Sequence, residues 1–104
     1  MEDITDRSFR QICKKFGADV MYTEFISSDG LIRDGVKSVK KLDIFDYERP
    51  IGIQLYGHII ESMVEATYIA VNSQPELIDI NYGCPVRKMP FGVETNRVTV
   101  DNVW

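Results

Sequence analysis

The sequence has few cysteines, no long apolar run and no excess of basic residues. Its 104 residues include two cysteines, Cys13 and Cys84, which lie far apart and form no CxxC pair. A small secreted scaffold held together by disulfides is therefore excluded. No apolar stretch approaches the roughly 18–20 residues that a membrane-spanning helix needs.

The N-terminus also lacks the apolar core of a secretory signal, because MEDITDRSFR is acidic and then basic. We therefore expect a cytoplasmic protein. The formal net charge of −4 argues against strong binding of nucleic acid by this chain alone, since phosphate contacts need clustered lysine and arginine. With 44% hydrophobic and 27% charged residues, the chain has the composition of one ordinary globular unit.

Apolar residues at helical spacing predict an amphipathic helix near the N-terminus. Thr5 or Asp6 can cap this helix, and Gly17 can end it. Because an unpaired cysteine behaves as a small buried hydrophobe, we expect Cys13 to be a core residue. The predicted apolar stripe consists of Phe9, Ile12, Cys13 and Phe16.

Strand and helix patterns alternate along the rest of the chain to residue 81. Segments 18–25, 51–57 and 77–81 are short, apolar and rich in β-branched residues, which favours strands. Segment 30–42 predicts one or two short helices around Gly35. A longer helix is predicted next, with an apolar stripe of Ile60, Met63, Val64, Thr67 and Val71. This alternation predicts an α/β fold with a parallel sheet and crossover helices.

Polar residues follow each predicted strand. Parallel α/β sheets form ligand sites at the carboxyl ends of their strands, so we expect these residues to converge. Gln54 interrupts an apolar strand, and leaving a buried amide unpaired costs about 1–3 kcal/mol. Either a ligand edge or neighbouring backbone could satisfy it. The residues at the three strand ends are Thr23, Glu24 and Ser27; Gln54, Tyr56 and Gly57; and Asn81, Gly83 and Cys84.

Cys84 is the chemically distinctive residue of this set. Pro85 favours an extended backbone at Cys84, and Gly83 lets the chain pass closely by a flat ligand. A thiol placed there can act as a nucleophile or as a proton donor. An unperturbed thiol has a pKa of about 8.5 and is mostly protonated at neutral pH, which suits an acid. From the residues alone, a purely structural thiol remains the alternative.

Four segments together resemble the N-terminal part of the flavin-dependent tRNA-dihydrouridine synthases. They are MEDITDRSFRQICKKFGAD, TEFISSDGL, IGIQLYG and IDINYGCPVRK, and the resemblance extends from Met1 to about Lys88. It implies a partial (β/α)8 TIM barrel of about three parallel strands with crossover helices. Residues 1–88 would form the N-terminal part of a flavin-binding TIM-barrel domain. Residues 89–104 would be a divergent tail, which lacks the alternation and resembles no part of the family.

The resemblance also implies a reaction. In that family, FMN that has been reduced by NADH or NADPH passes hydride to C6 of a uracil in tRNA, and a cysteine protonates C5. The motif match assigns the catalytic role to Cys84, substrate binding to Asn81, and cofactor binding to Gln54 and Met1. It implies no metal site.

Several family segments are not recognisable in this sequence, among them the first strand, a later glycine-rich segment and the helical domain that grips tRNA. We therefore expect an incomplete enzyme that contacts tRNA through regions absent from this chain. An eightfold barrel needs roughly 200 residues, and the two open edges of a three-stranded sheet invite self-association. Two alternatives remain: a noncatalytic truncated fragment or interaction module, and another FMN-dependent barrel oxidoreductase, such as one acting on a free pyrimidine.

Overall fold

The structure, a computed structural model, describes residues 4–82 and confirms the α/β class and the alternating element order. Met1, Cys84 and the predicted tail 89–104 lie outside the described residues. Within residues 4–82, no helix has both the length and the apolar character to cross a membrane. The elements are α1 (Arg7–Lys15), β1 (Met21–Tyr22), β2 (Ile26–Ser27), α2 (Ser28–Ile32), α3 (Val36–Lys40), a 3₁₀ helix (Asp46–Glu48), β3 (Ile51–Tyr56), α4 (Ile60–Val71) and β4 (Leu77–Ile80).

The sheet is parallel and is centred on β3. Strands β1 and β2 pair with successive parts of β3, and β4 pairs with β3 from Gly52↔Leu77 to Leu55↔Ile80. The carbonyl oxygen of Gly52 accepts from the β1 side, whereas that of Ile51 accepts from the β4 side. Since alternate carbonyls of a strand point to opposite sides, β1 and β4 lie on opposite edges of β3. The predicted parallel sheet of about three strands is thus confirmed, with β1 and β2 acting as one interrupted strand.

The core lies between β3 and the helices on one face of the sheet. Ile53 and Leu55 of β3 are fully buried there against Ala66 and Ala70 of α4, which are also fully buried. Because alanine has a small side chain, the helix backbone can approach the strand closely. Burying the apolar side chains of such a cluster supplies most of the stabilisation of a fold of this kind, at about 25 cal/mol per Å². Ile26 and Leu31 complete the cluster.

The buried face of α4 differs from the predicted stripe. Ile60 is 77% exposed, and Val64 and Val71 are each 51% exposed, although Met63 packs against the core as expected. The prediction was wrong because it ranked the larger apolar side chains as buried. The side of α4 that joins the core with β3 and α2 instead carries the small residues Ala66 and Ala70.

Helix α1 begins and ends as predicted but does not bury the expected stripe. Asp6 caps it by accepting a hydrogen bond from the Phe9 N–H at 2.8 Å, and Gly17 follows it with a φ of +93°. Phe16 is 89% exposed, and Cys13 is half-buried, so the prediction of a core Cys13 is wrong. The physical reason is that α1 turns Arg10 towards the rest of the fold, where it pairs with a buried carboxylate.

Candidate active site

Two predicted site residues, Gln54 and Asn81, meet near the carboxyl end of the sheet. The side chain of Asn81 donates from Nδ2 to Oε1 of Gln54 at 3.3 Å. Gln54 in turn donates from Nε2 to Oδ2 of Asp79 at 2.5 Å. Asn81 directly follows β4, and its backbone N–H donates to the carbonyl of Leu55 at 2.9 Å, which fixes its height along the sheet. The three side chains therefore form one hydrogen-bonded row across two strands.

This polar row lies on the face of the sheet opposite α4. Ile53 and Leu55 point to the helices, and successive side chains of a strand point to opposite faces, so Gln54 points away from them. Asp79 is the register partner of Gln54, and it shares that face. All three polar residues of the row are half-buried. One face of the sheet thus serves the core, and the other carries the polar groups.

The edge formed by β1 and β2 contains a β-bulge opposite Gln54. Tyr22 pairs with Gly52 and Ile26 pairs with Leu55, so three residues of this edge lie opposite two residues of β3. The Thr23 hydroxyl sits inside the bulge: it accepts from the Gln54 N–H at 3.2 Å and donates to the Glu24 carbonyl at 2.9 Å. Bulges are frequent at barrel rims and next to active sites. This one interrupts the strand that was predicted over 18–25, in which pairing begins at Met21.

Glu24 forms an ion pair separate from the polar row. Its Oε2 lies 3.8 Å from Nζ of Lys41, and the residue is 9% exposed. Within residues 4–82, its buried Oε1 has no hydrogen-bond partner. The predicted convergence of side chains therefore holds for Gln54 and Asn81, whereas the Thr23 hydroxyl bonds the backbone of Gln54 and Glu24 pairs with Lys41.

The other described strand-end residues, Tyr56, Ser27 and Gly57, shape the rim, whereas Gly83 and Cys84 lie outside the described residues. The ring of Tyr56 packs edge-on against Phe25, with centroids 5.0 Å apart and an interplanar angle of 87°. The Ser27 hydroxyl caps α2 by accepting from the Gly30 N–H at 3.3 Å. A Cβ at Gly57 would collide with the Ser28 hydroxyl and with the Met63 sulfur, so any larger residue would force these side chains to shift. Tyr56, Ser27 and Gly57 therefore stabilise the structure next to the polar row, and none of these contacts joins them to it.

Asp79 belongs to the row although it was not predicted as a site residue. It is the first residue of the motif run DINYGCP, and it lies two positions before Asn81, which places both on one face of an extended strand. That spacing was the available signal. The partner across the sheet was not visible in the sequence, because it depends on the register between β3 and β4.

The row has the hydrogen-bonding groups to hold the edge of a flat heterocycle. A glutamine amide has two N–H donors and an oxygen with two lone pairs. After the bonds to Asp79 and Asn81, Gln54 keeps one donor and one acceptor position. The pyrimidine edge of a flavin ring offers both acceptors and a donor, so these residues fit that group. Within the described range, no three histidine, cysteine or acidic side chains cluster closely enough to hold a metal ion.

Comparison with known proteins identifies relatives over most of the chain. The family model described as "Dihydrouridine synthase (Dus)" matches residues 1–92. A protein of Aquifex aeolicus named "Probable tRNA-dihydrouridine synthase" is 43% identical over 91 residues, which are 86% of this chain and 28% of the relative. The "tRNA-dihydrouridine synthase B" of Xanthomonas campestris is 35% identical over 89 residues, 86% of this chain and 27% of that protein. The chain thus spans little more than a quarter of the length of these curated relatives.

Proposed function

The chain belongs to the dihydrouridine synthase family, as its match over residues 1–92 shows, and we therefore propose that it supplies part of the active site of a tRNA-dihydrouridine synthase. The complete enzyme would reduce uridine in tRNA to 5,6-dihydrouridine, with FMN as its cofactor and NADH or NADPH as the reductant of the flavin. In this proposal, residues 1–88 form the N-terminal part of the flavin-binding barrel, and residues 89–104 are a divergent tail. The tRNA is held mainly by other parts of the complete enzyme.

The observation that carries this proposal is the contact between Gln54 and Asn81. The family resemblance assigns Gln54 to the cofactor and Asn81 to the substrate. A reaction between two bound molecules requires the residues that bind them to be neighbours. Their amides are joined by a hydrogen bond of 3.3 Å on the face of the sheet away from the core. The same resemblance assigns Met1 to the cofactor, with its backbone lying beside the flavin.

In the proposed mechanism, bound reduced flavin supplies the hydride that reaches C6 of the uracil. The Cys84 thiol donates its proton to C5, so the C5=C6 double bond becomes a single bond, and the resulting thiolate regains a proton from solvent. Asn81 holds the uracil edge with an amide that both donates and accepts. Gln54 holds the flavin ring edge beside it. The chain's contribution is therefore to bind, to orient and to deliver one proton.

A chimera tests the proposal. The segment of the Aquifex aeolicus relative that matches this chain over 91 residues would be replaced by the corresponding residues of this chain. We expect the purified chimera to bind FMN and to form dihydrouridine in unmodified tRNA, measured by mass spectrometry of the digested nucleosides. The variant Gln54→Leu should lose most of the bound FMN while circular dichroism shows that it remains folded.

The chimera also separates the proposal from its two alternatives. A folded chimera that binds FMN and reduces a free pyrimidine but leaves tRNA unchanged would favour another FMN-dependent barrel oxidoreductase. A folded chimera that neither binds FMN nor modifies tRNA would favour a noncatalytic module. Either result would contradict the proposed function.

A further inference from the structure

We propose that Asp79 is a positioning residue that fixes which way the amides of Gln54 and Asn81 face. The inference rests on the proposed function, because it names the residue that orders the cofactor side and the substrate side of the same site. It is carried by the hydrogen-bonded row Asp79, Gln54, Asn81 and by the chemistry of a carboxylate.

An ionised carboxylate accepts hydrogen bonds and donates none, whereas either end of a glutamine amide fits the same space. The group that Gln54 presents to Asp79 must therefore be Nε2. The bond runs from Nε2 to Oδ2 of Asp79. Asp79 thus removes the ambiguity that an amide otherwise has, and Oε1 of Gln54 must face the other way.

The orientation of the Asn81 amide follows from that of the Gln54 amide. Oε1 of Gln54 faces Nδ2 of Asn81, which donates to it at 3.3 Å. Turning Gln54 over would place two acceptors against each other at Asp79 and two donors against each other at Asn81. Only one arrangement satisfies both contacts, so one carboxylate sets the donor–acceptor order along the whole row.

The strand register holds the three groups at the required spacing. Gln54 and Asp79 are direct partners in the β3–β4 ladder. The backbone bond from the Asn81 N–H to the Leu55 carbonyl extends the ladder by one step, at 2.9 Å. Because the row is half-buried and its backbone is paired, the site offers a planar ligand a donor and an acceptor in fixed order. A flavin ring edge is the ligand class that we infer for the Gln54 end.

Side-chain amide hydrogen exchange tests the inference without any ligand. The chain has three glutamines, Gln11, Gln54 and Gln74, so ¹⁵N-glutamine labelling gives a simple spectrum. Gln11 and Gln74 are exposed and serve as internal references. In the unaltered chain, one Nε2 proton of Gln54 should exchange about tenfold more slowly than those of the references, the factor that corresponds to one modest hydrogen bond. Equal exchange for all three would overturn the inference, and this comparison needs no variant.

The variant Asp79→Asn keeps the shape of the side chain but adds a donor, so Gln54 could then face either way. We expect the exchange rate of this Gln54 proton to come within about twofold of the rates of Gln11 and Gln74, so that most of the tenfold difference is lost. Asp43→Asn is the matched control, since it makes the same charge change at an exposed position. A slow Gln54 proton that persists in Asp79→Asn would overturn the proposal.

In the chimera, Asp79→Asn should weaken FMN binding about tenfold, while its melting temperature matches that of Asp43→Asn. A chimera that binds FMN equally well with and without this substitution would also overturn the inference. If the unaltered chimera binds no FMN, the proposed function fails, and the exchange experiment alone then decides the role of Asp79. The two failures are therefore distinguishable.

Discussion

Replacing Arg10 with methionine should destabilise the folded chain by about 3–5 kcal/mol, because it leaves one member of a buried ion pair without its partner. Nε of Arg10 donates to Oε1 of Glu48 at 2.8 Å, and the side chains are 7% and 0% exposed. Glu48 would keep the bond from the Phe45 N–H, which is 3.0 Å long. Arg10 also donates to the Thr5 carbonyl at 2.8 Å, so the start of α1 would lose a second contact.

The magnitude follows from the burial of the pair. An exposed ion pair contributes about 0–1 kcal/mol, and this pair is outside that class because almost no solvent reaches it. Methionine keeps the unbranched apolar part of the arginine, so loss of packing is small and the stranded carboxylate dominates the cost. A domain stability of about 5–15 kcal/mol would lose a large fraction of its value.

Urea unfolding followed by circular dichroism measures the change. Arg33→Met is the control, since Arg33 is exposed and its replacement should change the free energy of unfolding by less than about 0.5 kcal/mol. The double variant Arg10→Met with Glu48→Leu should cost less than the sum of the two single variants, because it removes both charges together. A cost below about 1 kcal/mol for Arg10→Met would refute the reasoning, since it would place the pair in the exposed class.

Two further predictions concern β3 and its neighbours. The Ile51 N–H, bonded at 2.7 Å, and the guanidinium of Arg49 lower the pKa of Glu76 in the folded chain. The stabilisation that ionised Glu76 gives the folded chain is therefore fully present above the ordinary glutamate pKa of 4.5. It is lost as the pH falls through the lower pKa that Glu76 has in the folded chain. Glu76→Gln should flatten this acid limb in urea titrations below pH 4.5, and an unchanged limb would contradict the assignment. Gly52→Ala should destabilise the chain by about 1–3 kcal/mol in the same assay, because overpacking strains a filled site. A Cβ there would lie 2.5 Å from Cδ1 of Leu77 and 2.8 Å from Cδ1 of Tyr22, so Gly52→Ala should cost less in a Leu77→Ala background than in the unaltered chain, and an equal cost in both would refute the clash with Leu77.

Local sequence signals predicted the elements of this fold well. Pro50 and Gly57 bound β3 as expected, and the central position of that strand explains its nearly continuous apolar run. Segment 77–81 and the helix before it were also correctly placed. These elements were predictable because short apolar runs, helical spacing and breakers all act within a few residues.

The buried faces of the helices were not predictable in the same way. Arg10 is buried because of Glu48, a partner 38 residues away in the sequence. Ala66 and Ala70 are buried because they join a cluster with residues of β2, α2 and β3, and this packing depends on the neighbouring elements and not on α4 alone. Apolar spacing identifies a stripe, but tertiary contacts decide which face of a helix is covered.

The candidate site was likewise predictable only in part. Gln54 and Asn81 were predicted as neighbours because polar residues at parallel strand ends converge. The role of Asp79 depends on its register with Gln54, a residue 25 positions earlier, and the bulge at Thr23 depends on the register of another strand pair. Register is set by the complete sheet, so neither feature could be read from the sequence.

The central claim is that this chain carries the proton donor of tRNA uridine reduction, and the two cysteines test it most directly. In the chimera with bound reduced FMN, the rate of dihydrouridine formation would be measured in a single turnover for Cys84→Ala and for its matched control Cys13→Ala. General acid catalysis contributes about 10²–10⁴-fold, so Cys84→Ala should slow the reaction by at least about 100-fold, whereas Cys13→Ala should leave the rate within about twofold. Equal rates for the two variants would contradict the claim.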